Sequence, residues 1–506
     1  MEAPADERRE IVEVATQTEV RTGTLITEEI LDGKIFSGGW RQTGERLEVH
    51  NPATDEHLAS VGSAAMEDVM RASKLAADAQ PGWAATPGPE RAAILRATAD
   101  ALENAREEIE WWLVHEGGGV PQKAAFEVGE AEKELREAAA LTSMPIGEVL
   151  PNEQGRLSIA KRLPVGVVGV IAPWNFPMIL SMRSVAPALA LGNSVLLKCD
   201  PHTPVAGGLV FARAFEEAGL PDNVFQVLPG GVEPGEAICE APEVRMVSFT
   251  GSTRAGRAVG ALAGGNLKRV ALELGGKSSF IVLDDADVEK ATSCGSFGTF
   301  FHQGQICMAS GRHLVHESIA EEYISKLAER AARLPVGDPG KEEVALGPII
   351  NRRQLDRVQE LVDDAVQAGA DLRAGGKGDP PYFPPTVLAD VKRDMRAWNE
   401  EIFGPVAPVM TFSDEDEAVA IANDTEYGLS GAVYTSSHER GREVADKLDT
   451  GLVHIMDSTV YDDPLAPFGG RGASGNGGRF GGPFSVEEFT EVRWITEQPE
   501  PASYPF

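Results

Sequence analysis

Cys307 has the local sequence expected of a reactive thiol. It follows Gly304 and the polar residues Gln303 and Gln305, whereas structural cysteines usually have apolar neighbours on a helix or strand. Thiolates are strong nucleophiles, so Cys307 is the best candidate for covalent chemistry. Cys294 fits the structural alternative, because it falls inside a predicted helix.

Glu273 is the carboxylate best placed in the sequence to act with that thiol. It ends a predicted strand just before Gly275 and Gly276. Glycines allow other groups to approach closely and allow a carboxylate to move, and such a carboxylate can be a general base. A surface glutamate is the commoner explanation for such a residue, so this interpretation depends on its neighbours.

Asn175 lies between two prolines, Pro173 and Pro177. The two rings predict a rigid extended turn that would hold the asparagine still. A fixed amide N–H₂ suits stabilisation of an oxyanion. The alternative is that Asn175 caps the helix that follows.

Residues 250–256 form a turn between a predicted buried strand and a helix. Gly251, Ser252 and Gly256 lie in it, and free N–H groups at a helix start favour a phosphate. The stretch is not Gly-x-Gly-x-x-Gly, so taken alone an ordinary turn is the favoured interpretation.

These residues lie in two stretches of alternating strands and helices. Such alternation predicts an α/β fold of right-handed βαβ units, with ligands at the carboxyl ends of the parallel strands. In the first stretch the predicted strands are 157–162, 165–172, 194–198, 224–228, 244–249 and 269–273. In the second stretch they are 280–283, 312–316, 406–412 and 431–435. A last strand, 488–496, could pair with strand 157–162 or with another subunit.

Composition limits the classes of partner and compartment. The chain has 506 residues, which predicts two or three domains, and a net charge of −32, which argues against nucleic acid and anionic membranes. Its four cysteines form no Cys-x-x-Cys pair, no cluster has metal-ligand spacing, and no apolar run is long enough to span a bilayer. We therefore expect a cytoplasmic protein without a metal.

In their order and spacing, these motifs resemble the aldehyde dehydrogenase superfamily. The resemblance covers residues 33–498 and includes residues 191–198, 400–405 and 467–470. More narrowly, the chain is similar to the benzaldehyde/vanillin dehydrogenase branch. That similarity is carried by residues 155–158, 182–189, 301–308 and 478–482.

The resemblance implies a division of the chain. It implies a Rossmann-type cofactor domain, a second α/β catalytic domain and a small β oligomerisation extension. The expected segments are an N-terminal extension (1–30) that could be partly disordered, the cofactor domain (31–143 and 165–275), the catalytic domain (276–475) and oligomerisation strands (144–164 and 484–506). It also implies a homodimer or a homotetramer.

The resemblance further implies roles for residues. Cys307 would be the nucleophile, Glu273 the base, and Asn175 with the backbone N–H of Cys307 the oxyanion hole. The cofactor would be NAD or NADP. Lys198 would hold the adenosine ribose, Gly251 and Ser252 the pyrophosphate, and Glu401 the nicotinamide ribose. The residues expected at the cofactor are Trp174, Lys198, Gly251, Ser252, Gly256, Leu274, Glu401 and Phe403.

One position departs from many NAD-preferring relatives, which carry a glutamate three residues after this lysine. Here Pro201 fills that place. The missing carboxylate removes the repulsion that would reject a 2′-phosphate, so use of NADP beside NAD is expected. Asp200 could substitute for the glutamate and restore a preference for NAD.

The substrate pocket is expected to be aromatic and flexibly apolar, which suits a flat ring. Its predicted residues are Phe176, Met182, Arg183, Phe301, Ile306, Met308 and Phe468. Arg183 could meet a ring hydroxyl or the carboxylate of a semialdehyde, or it could lie at the surface or in a subunit contact. The branch favours a small aromatic aldehyde as substrate.

Two other functions are compatible with this fold. The first is an inactive structural or binding protein, since fold alone does not secure function. The joint presence of Cys307, Glu273 and Asn175 argues against it. The second is an enzyme that passes the thioester to CoA, and relatives of that kind typically lack the glutamate base.

Overall fold

The computed structural model describes Gly23, residues 25–152 and residues 154–506. Its first sheet contains seven strands among these residues, and five consecutive ones are parallel. The order is Arg269–Glu273, Val244–Thr250, Val167–Ile171, Ser194–Lys198, Phe225–Val227, Lys34–Phe36 and Trp40–Gln42. The central strands are buried along their whole length, as expected for parallel strands covered on both faces.

Helices cover both faces of this sheet, and their apolar sides form two core clusters with its strands. The long ones are Met66–Ala85, Gly88–Asn104, Arg106–Gly117, Pro121–Leu141, Pro177–Ala190 and Thr253–Gly265, with shorter helices at Val210–Glu217 and Val232–Glu240. Helix Pro177–Ala190 has every residue buried, so it lies inside the domain rather than on its surface.

The second sheet also contains seven strands in the described part of the chain, and all but the first are parallel. Their order is Asp371–Ala374, Thr386–Ala389, Val406–Phe412, Ser310–His316, Ser278–Val282, Ser430–Tyr434 and Leu452–Ile455. Its helices are Val288–Phe300, Ala320–Arg333, Arg352–Gln367, Arg396–Asn399, Glu415–Asn423 and His438–Ala445.

A separate three-stranded sheet consists of Gly147–Val149, Leu157–Pro164 and Thr490–Glu497. The last strand pairs antiparallel with Leu157–Pro164 of the same chain, which was one of the two partners left open by the sequence. The predicted start of this strand is wrong, because residues up to Phe489 belong to helix Phe484–Phe489. Trp494 is 70% exposed on this sheet.

The start of the chain differs from the predicted extension where the structure describes it. Residues 1–22 lie outside the described residues. Leu25 and Ile26 are buried, and their N–H groups donate to the Glu108 carboxylate at 3.2 and 2.6 Å. Residues 25–31 therefore pack on the first domain, with helix Glu28–Leu31 contributing Ile30 and Leu31 to its core.

Two further elements differ from what the sequence pattern showed. The hairpin Glu45–His50 and His57–Ser63 was not predicted as paired strands. A π-helical turn, Val205–Leu209, precedes helix Val210–Glu217 and is fully buried. Within the described ranges, no helix has the length and apolarity needed to cross a membrane.

Candidate active site

Glu273 and the 250–256 turn meet at the carboxyl ends of neighbouring strands. Glu273 is the last residue of its strand and lies opposite Thr250 in the parallel register. The N–H of Gly251 donates to the Glu273 carbonyl at 3.0 Å. The candidate base and the candidate phosphate turn are therefore neighbours at the edge of the sheet where such folds bind ligands.

Cys307 follows three successive residues in the left-handed backbone region. After helix Val288–Phe300, φ is +48° at His302, +57° at Gln303 and +67° at Gly304. A Cβ at Gly304 would lie 2.3 Å from the Gly404 carbonyl oxygen, so only glycine fits there. The left-handed region costs a non-glycine residue roughly 1–2 kcal/mol, and the surroundings must hold this turn in place.

The two glutamines beside Cys307 supply that support. Gln303 Nε2 donates to the carbonyls of Gly118 and Pro348 at 3.0 and 2.9 Å. The N–H of Ile350 donates to Gln305 Oε1 at 3.0 Å. Both side chains are buried, so these bonds tie the cysteine loop to backbone of other segments.

Asn175 connects its own turn to the cysteine loop. Its side chain is 4% exposed, and Nδ2 donates to the Gln305 carbonyl at 2.9 Å. An amide nitrogen carries two hydrogens, so the second can serve a ligand oxygen. Asn175 precedes helix Pro177–Ala190 without capping it, since that helix has no side-chain cap bond.

Glu273 is buried rather than a surface glutamate, with 4% exposure. Oε2 accepts the Gly470 N–H at 3.2 Å, whereas Oε1 has no hydrogen-bond partner among the described residues. Burial raises its pKa well above the usual value, and the Gly470 bond and the charge of Arg183 offset this only in part. A carboxyl with a raised pKa is the stronger base that general-base catalysis requires.

The four cysteines are free thiols, and pKa does not single out Cys307. Burial, together with the charges of Glu401 and Asp462, raises the pKa of Cys307 to about 12, and Arg183 acts in the opposite direction. Burial also raises the pKa of Cys294 to about 12. Cys307 is distinguished instead by its neighbours, because it is the cysteine whose loop meets Asn175.

Five of the predicted pocket residues share one apolar cluster with Cys307, which we call the pocket cluster. Its members are Phe176, Phe301, Ile306, Cys307, Met308, Ala309, Leu429, Leu452, Val460 and Phe468. Phe176 and Phe301 have ring centroids 6.3 Å apart, and Phe297 stacks on Phe301 at 4.8 Å. Met182 is not part of this cluster, because it is fully buried in the core of the first domain.

Arg183 is 5% exposed and so is not a surface residue. It forms an ion pair with Asp462 and a second with Glu134 at 3.5 Å. Its guanidinium carbon lies 4.2 Å from the ring centroid of Phe468, within cation–π range. These four residues form what we call the Arg183 network, and it borders the pocket cluster through Phe468.

A second cation lies on the opposite pocket phenylalanine. Lys123 forms a buried ion pair with Glu127, and its Nζ is 4.5 Å from the Phe176 ring centroid. Glu127 also accepts the N–H of Met178 at 2.8 Å, at the start of helix Pro177–Ala190. Sequence reasoning missed Lys123 and Glu127, although their i,i+4 spacing, which helix Pro121–Leu141 turns into a contact, was a usable signal.

The residues expected at the nicotinamide end lie together. Glu401 accepts the Gly276 N–H at 3.2 Å, and a Cβ at Gly275 would lie 2.4 Å from its carboxylate. Burial raises the pKa of Glu401 to about 7. The rings of Trp174 and Phe403 meet edge to face at 5.6 Å.

The residues expected at the adenosine and phosphate end fit a nucleotide. Lys198 ends its strand and is 6% exposed. Ser252 caps helix Thr253–Gly265 by accepting the Ala255 N–H at 3.4 Å, so free N–H groups of that helix start lie beside Gly251. A Cβ at Gly256 would lie 2.2 Å from Leu274, which allows the close packing of this helix on the sheet.

Asp200, the possible substitute for the missing glutamate, is held by His202. Oδ1 accepts the His202 backbone N–H at 3.0 Å and lies 2.7 Å from ring Nδ1. Burial acts to raise the pKa of Asp200, but the His202 bond and the charge of Lys198 together lower it. Asp200 is therefore an ionised carboxylate within electrostatic range of Lys198.

Comparisons with known proteins agree with this arrangement. The model of the aldehyde dehydrogenase family matches residues 40–495. The chain is 53% identical to a vanillin dehydrogenase of Amycolatopsis sp., over 96% of this chain and 100% of that protein. It is 50% identical to the benzaldehyde dehydrogenase [NAD(+)] of Pseudomonas putida, over 94% of this chain and 98% of that protein.

A solved structure is similar over almost the whole fold. It is the crystal structure of a salicylaldehyde dehydrogenase from Pseudomonas putida G7 complexed with salicylaldehyde. The TM-score is 0.91 at 36% identity, covering 94% of this chain and 99% of that chain. The family match, the close relatives and this shared fold show that the chain belongs to the aldehyde dehydrogenase family.

Proposed function

We propose that the protein oxidises an aromatic aldehyde to the carboxylic acid with NAD or NADP. The observation that carries the proposal is the pocket cluster, in which Cys307 lies among Phe176, Phe301 and Phe468. Aromatic rings favour contact with another flat ring. The names of the vanillin and benzaldehyde dehydrogenases among the relatives support the same substrate class.

The chemistry begins at Cys307. Its sulfur adds to the aldehyde carbon after loss of the thiol proton, which gives a thiohemiacetal. Asn175 Nδ2 and the Cys307 N–H stabilise the oxygen that gains negative charge. The bound nicotinamide cofactor supplies the hydride acceptor that turns this adduct into a thioester.

Glu273 serves the second half of the reaction. Its carboxylate takes a proton from water, and the resulting hydroxide attacks the thioester carbon. The carbon–sulfur bond breaks, the acid leaves, and the proton that Glu273 took from water passes to the thiolate of Cys307. The sum is aldehyde, oxidised cofactor and water giving carboxylic acid, reduced cofactor and a proton.

The cofactor is proposed to lie along the residues described above. Glu401 would bind the nicotinamide ribose beside Trp174 and Phe403, and Lys198 the adenosine ribose. Pro201 leaves the 2′ position without its usual carboxylate, which supports use of NADP. Asp200 is ionised beside Lys198 and would repel a 2′-phosphate, so we propose that both cofactors are used and NAD is preferred.

The semialdehyde alternative is disfavoured by the contacts of Arg183. Two carboxylates, Glu134 and Asp462, already neutralise its guanidinium. A substrate carboxylate would have to displace Asp462 and lie near its negative charge. A phenolic hydroxyl could instead donate to Asp462 without bringing a charge.

Steady-state kinetics with a panel of aldehydes test the proposal. We expect higher kcat/KM for benzaldehyde, vanillin and salicylaldehyde than for acetaldehyde or succinic semialdehyde, with either cofactor and without CoA. A strict need for CoA would favour the acylating alternative. No turnover of any aldehyde would favour the inactive alternative.

Three variants test the residue roles. Cys307→Ala should abolish turnover, and Cys294→Ala, its matched control, should leave turnover nearly unchanged. Glu273→Gln should slow deacylation by about 10²–10⁴ and let acyl-enzyme accumulate, visible as added mass on the intact protein. If Cys294 rather than Cys307 proves indispensable, the assignment of the nucleophile is wrong.

We also propose a cytoplasmic homo-oligomer, dimer or tetramer, assembled through the three-stranded sheet. Val492 and Trp494 are exposed on its edge strand, Thr490–Glu497, and such an edge is costly or sticky when uncovered. Removal of residues 485–506 should give monomers or aggregate in size-exclusion chromatography with light scattering. A soluble oligomer of unchanged mass would contradict this proposal.

A further inference from the structure

Two buried cations of the second domain face one small cavity. Lys277 is 3% exposed and Arg312 is 2% exposed. Arg312 donates to the backbone carbonyls of Lys277, Ile421 and Ala422 at 3.0, 3.2 and 2.7 Å. Among the described residues, neither cation forms an ion pair with a carboxylate.

The ammonium of Lys277 is the group without a partner. Its Nζ has no hydrogen-bond acceptor in the described part of the chain. Ser279, two residues further on the same strand, has a buried hydroxyl that also lacks a partner. Both residues line the cavity, so a cation without a hydrogen-bonded partner and a free hydroxyl border the same space.

The cavity has room for one small occupant. The cavity volume is about 10 Å³, enough for one water or one small ion. Tyr427 and Thr450 add hydroxyl groups to its lining. Asp449, the carboxylate in the lining, is already paired with Arg471 at 2.6 Å.

Electrostatics favour a negative occupant. An isolated ammonium in a protein interior is costly unless it is paired or loses its proton. Burial, followed by the charge of Arg312, lowers the pKa of Lys277 to about 7, and the charges of Glu401 and Glu400 act in the opposite direction. An anion in the cavity would compensate both cations at once, while water would leave their charge in place.

We propose that the cavity bordered by Lys277, Ser279 and Arg312 binds a small monovalent inorganic anion such as chloride. The anion accepts from Lys277 Nζ and from the Ser279 hydroxyl. Cys307 is not among the residues that line the site, and the site does not depend on which aldehyde is oxidised. Lys277 follows Gly276, whose N–H holds Glu401, so the anion would lie next to the proposed ribose-binding residue.

Two measurements on the full-length protein test the site. Crystals grown in sodium bromide should show an anomalous peak between Lys277 Nζ and Ser279 Oγ. In solution, the melting temperature in sodium chloride should exceed that in sodium gluconate at equal ionic strength by about 1–2 °C, because an anion that binds only the folded state stabilises it.

Matched variants assign the effect to the cavity. Lys277→Met removes the ammonium with little change in volume and should abolish the chloride-dependent rise. Should that variant not fold, Ser279→Ala should raise several-fold the chloride concentration that gives half of the rise. Lys268→Met is the control, because Lys268 is a partly buried lysine that donates to backbone carbonyls, including Val244 at 2.8 Å, outside the cavity.

The proposal requires both results from the unsubstituted protein. A cavity that holds only water in bromide crystals overturns it, even if the melting temperatures differ. Equal melting temperatures in chloride and gluconate also overturn it, because a bromide peak would then reflect binding at crystal concentration only. An equal loss of the chloride effect in Lys268→Met would show a general salt effect and likewise overturn it.

Discussion

Two phenylalanines of the pocket cluster each have a cation against the ring, but the two cations are held in different ways. Lys123 and its partner Glu127 belong to one helix, and both side chains are at most 1% exposed. Arg183 instead joins its helix to Glu134 on another helix and to Asp462 in the loop after strand Leu452–Ile455. Asp462 is 19% exposed.

This difference separates two tasks of the pocket. Glu127 also accepts the Met178 N–H, so the Lys123–Glu127 pair fixes the segment that carries Asn175 and Phe176. In the Arg183 network, the Asp462 carboxylate is partly exposed to solvent, so it can be hydrated or can contact a polar group of a substrate. We infer that the Phe176 side sets catalytic geometry and the Phe468 side sets substrate preference.

The largest effect is expected from breaking the Lys123–Glu127 pair. Lys123→Met leaves a buried carboxylate, and loss of one member of a buried pair costs about 3–5 kcal/mol. The double variant Lys123→Met/Glu127→Gln should recover part of this loss. The melting temperature and kcat should both be highest in the unsubstituted protein, lower in the double variant and lowest in Lys123→Met. Both should change together because the pair holds the turn that carries Asn175.

The pH dependence gives a further check on the same pair. Burial raises the pKa of Glu127 above its unfolded value, so the folded state holds its proton more tightly. Stability from such a group is present at low pH and is lost as pH rises through the folded pKa. The deficit of Lys123→Met should therefore be larger at pH 8 than at pH 5.5. An equal deficit at both pH values would contradict a buried carboxylate.

The next largest effect is expected from Arg183→Met. The loss of a cation–π contact and of two ion pairs should cost about 2 kcal/mol. This is less than for the first variant, because Asp462 can rehydrate and Glu134, whose pKa burial raises to about 8, can take up a proton. Preference among hydroxybenzaldehydes should change more than kcat for benzaldehyde itself. Arg162→Met is the control, because its pair with Glu487 is partly exposed and worth about 0–1 kcal/mol. If the preference among hydroxybenzaldehydes did not change, the Phe468 side would have no role in substrate selection.

The sequence predicted the central strands well, because their apolar runs end at clear turns. The predicted bounds 194–198, 269–273 and 406–412 are those of the structure. Chain order then placed Glu273 and the 250–256 turn at one sheet edge, since both follow parallel strands. The strands Lys34–Phe36 and Trp40–Gln42 have three residues each, too few to show a hydrophobic alternation. They form because they pair with each other and with strand Phe225–Val227 at the edge of the sheet.

The site was harder to predict where a side chain depends on distant partners. Helix Pro177–Ala190 is buried all round, so its periodicity could not tell that Met182 faces the core while Arg183 borders the pocket. The ion pair of Arg183 with Asp462 spans 279 positions of sequence. The left-handed turn at His302 is likewise stabilised by residues far along the chain, so local propensity gave no sign of it.

A smaller effect is expected from Asp462→Asn. The negative charge of Asp462 adds to the burial that raises the pKa of Cys307, so its removal should lower that pKa. More thiolate is then present at pH 8, and alkylation by iodoacetamide should become a few times faster. Asp463→Asn is the matched control, because Asp463 accepts the Leu465 N–H at 2.8 Å and is not among the groups that shift the thiol. Equal rates in both variants would show that the Arg183 network does not act on the cysteine.

The smallest effect is expected from His302→Asn, which perturbs the Phe176 side without touching its charges. The His302 ring meets Phe176 edge to face at 5.2 Å, a contact worth about 0.5–1.5 kcal/mol, but asparagine relieves left-handed strain. These terms oppose each other, so stability should change by less than about 1 kcal/mol.

Burial and the charge of Lys123 lower the pKa of His302 well below its usual value, so the ring is neutral at every working pH. The variant should therefore keep the pH profile of kcat, with a KM for benzaldehyde two to three times higher because Phe176 is less confined. If the pH profile of kcat lost one of its limbs in this variant, His302 would be a proton-transfer group. The Phe176 side would then take part in the chemistry as well as positioning Asn175.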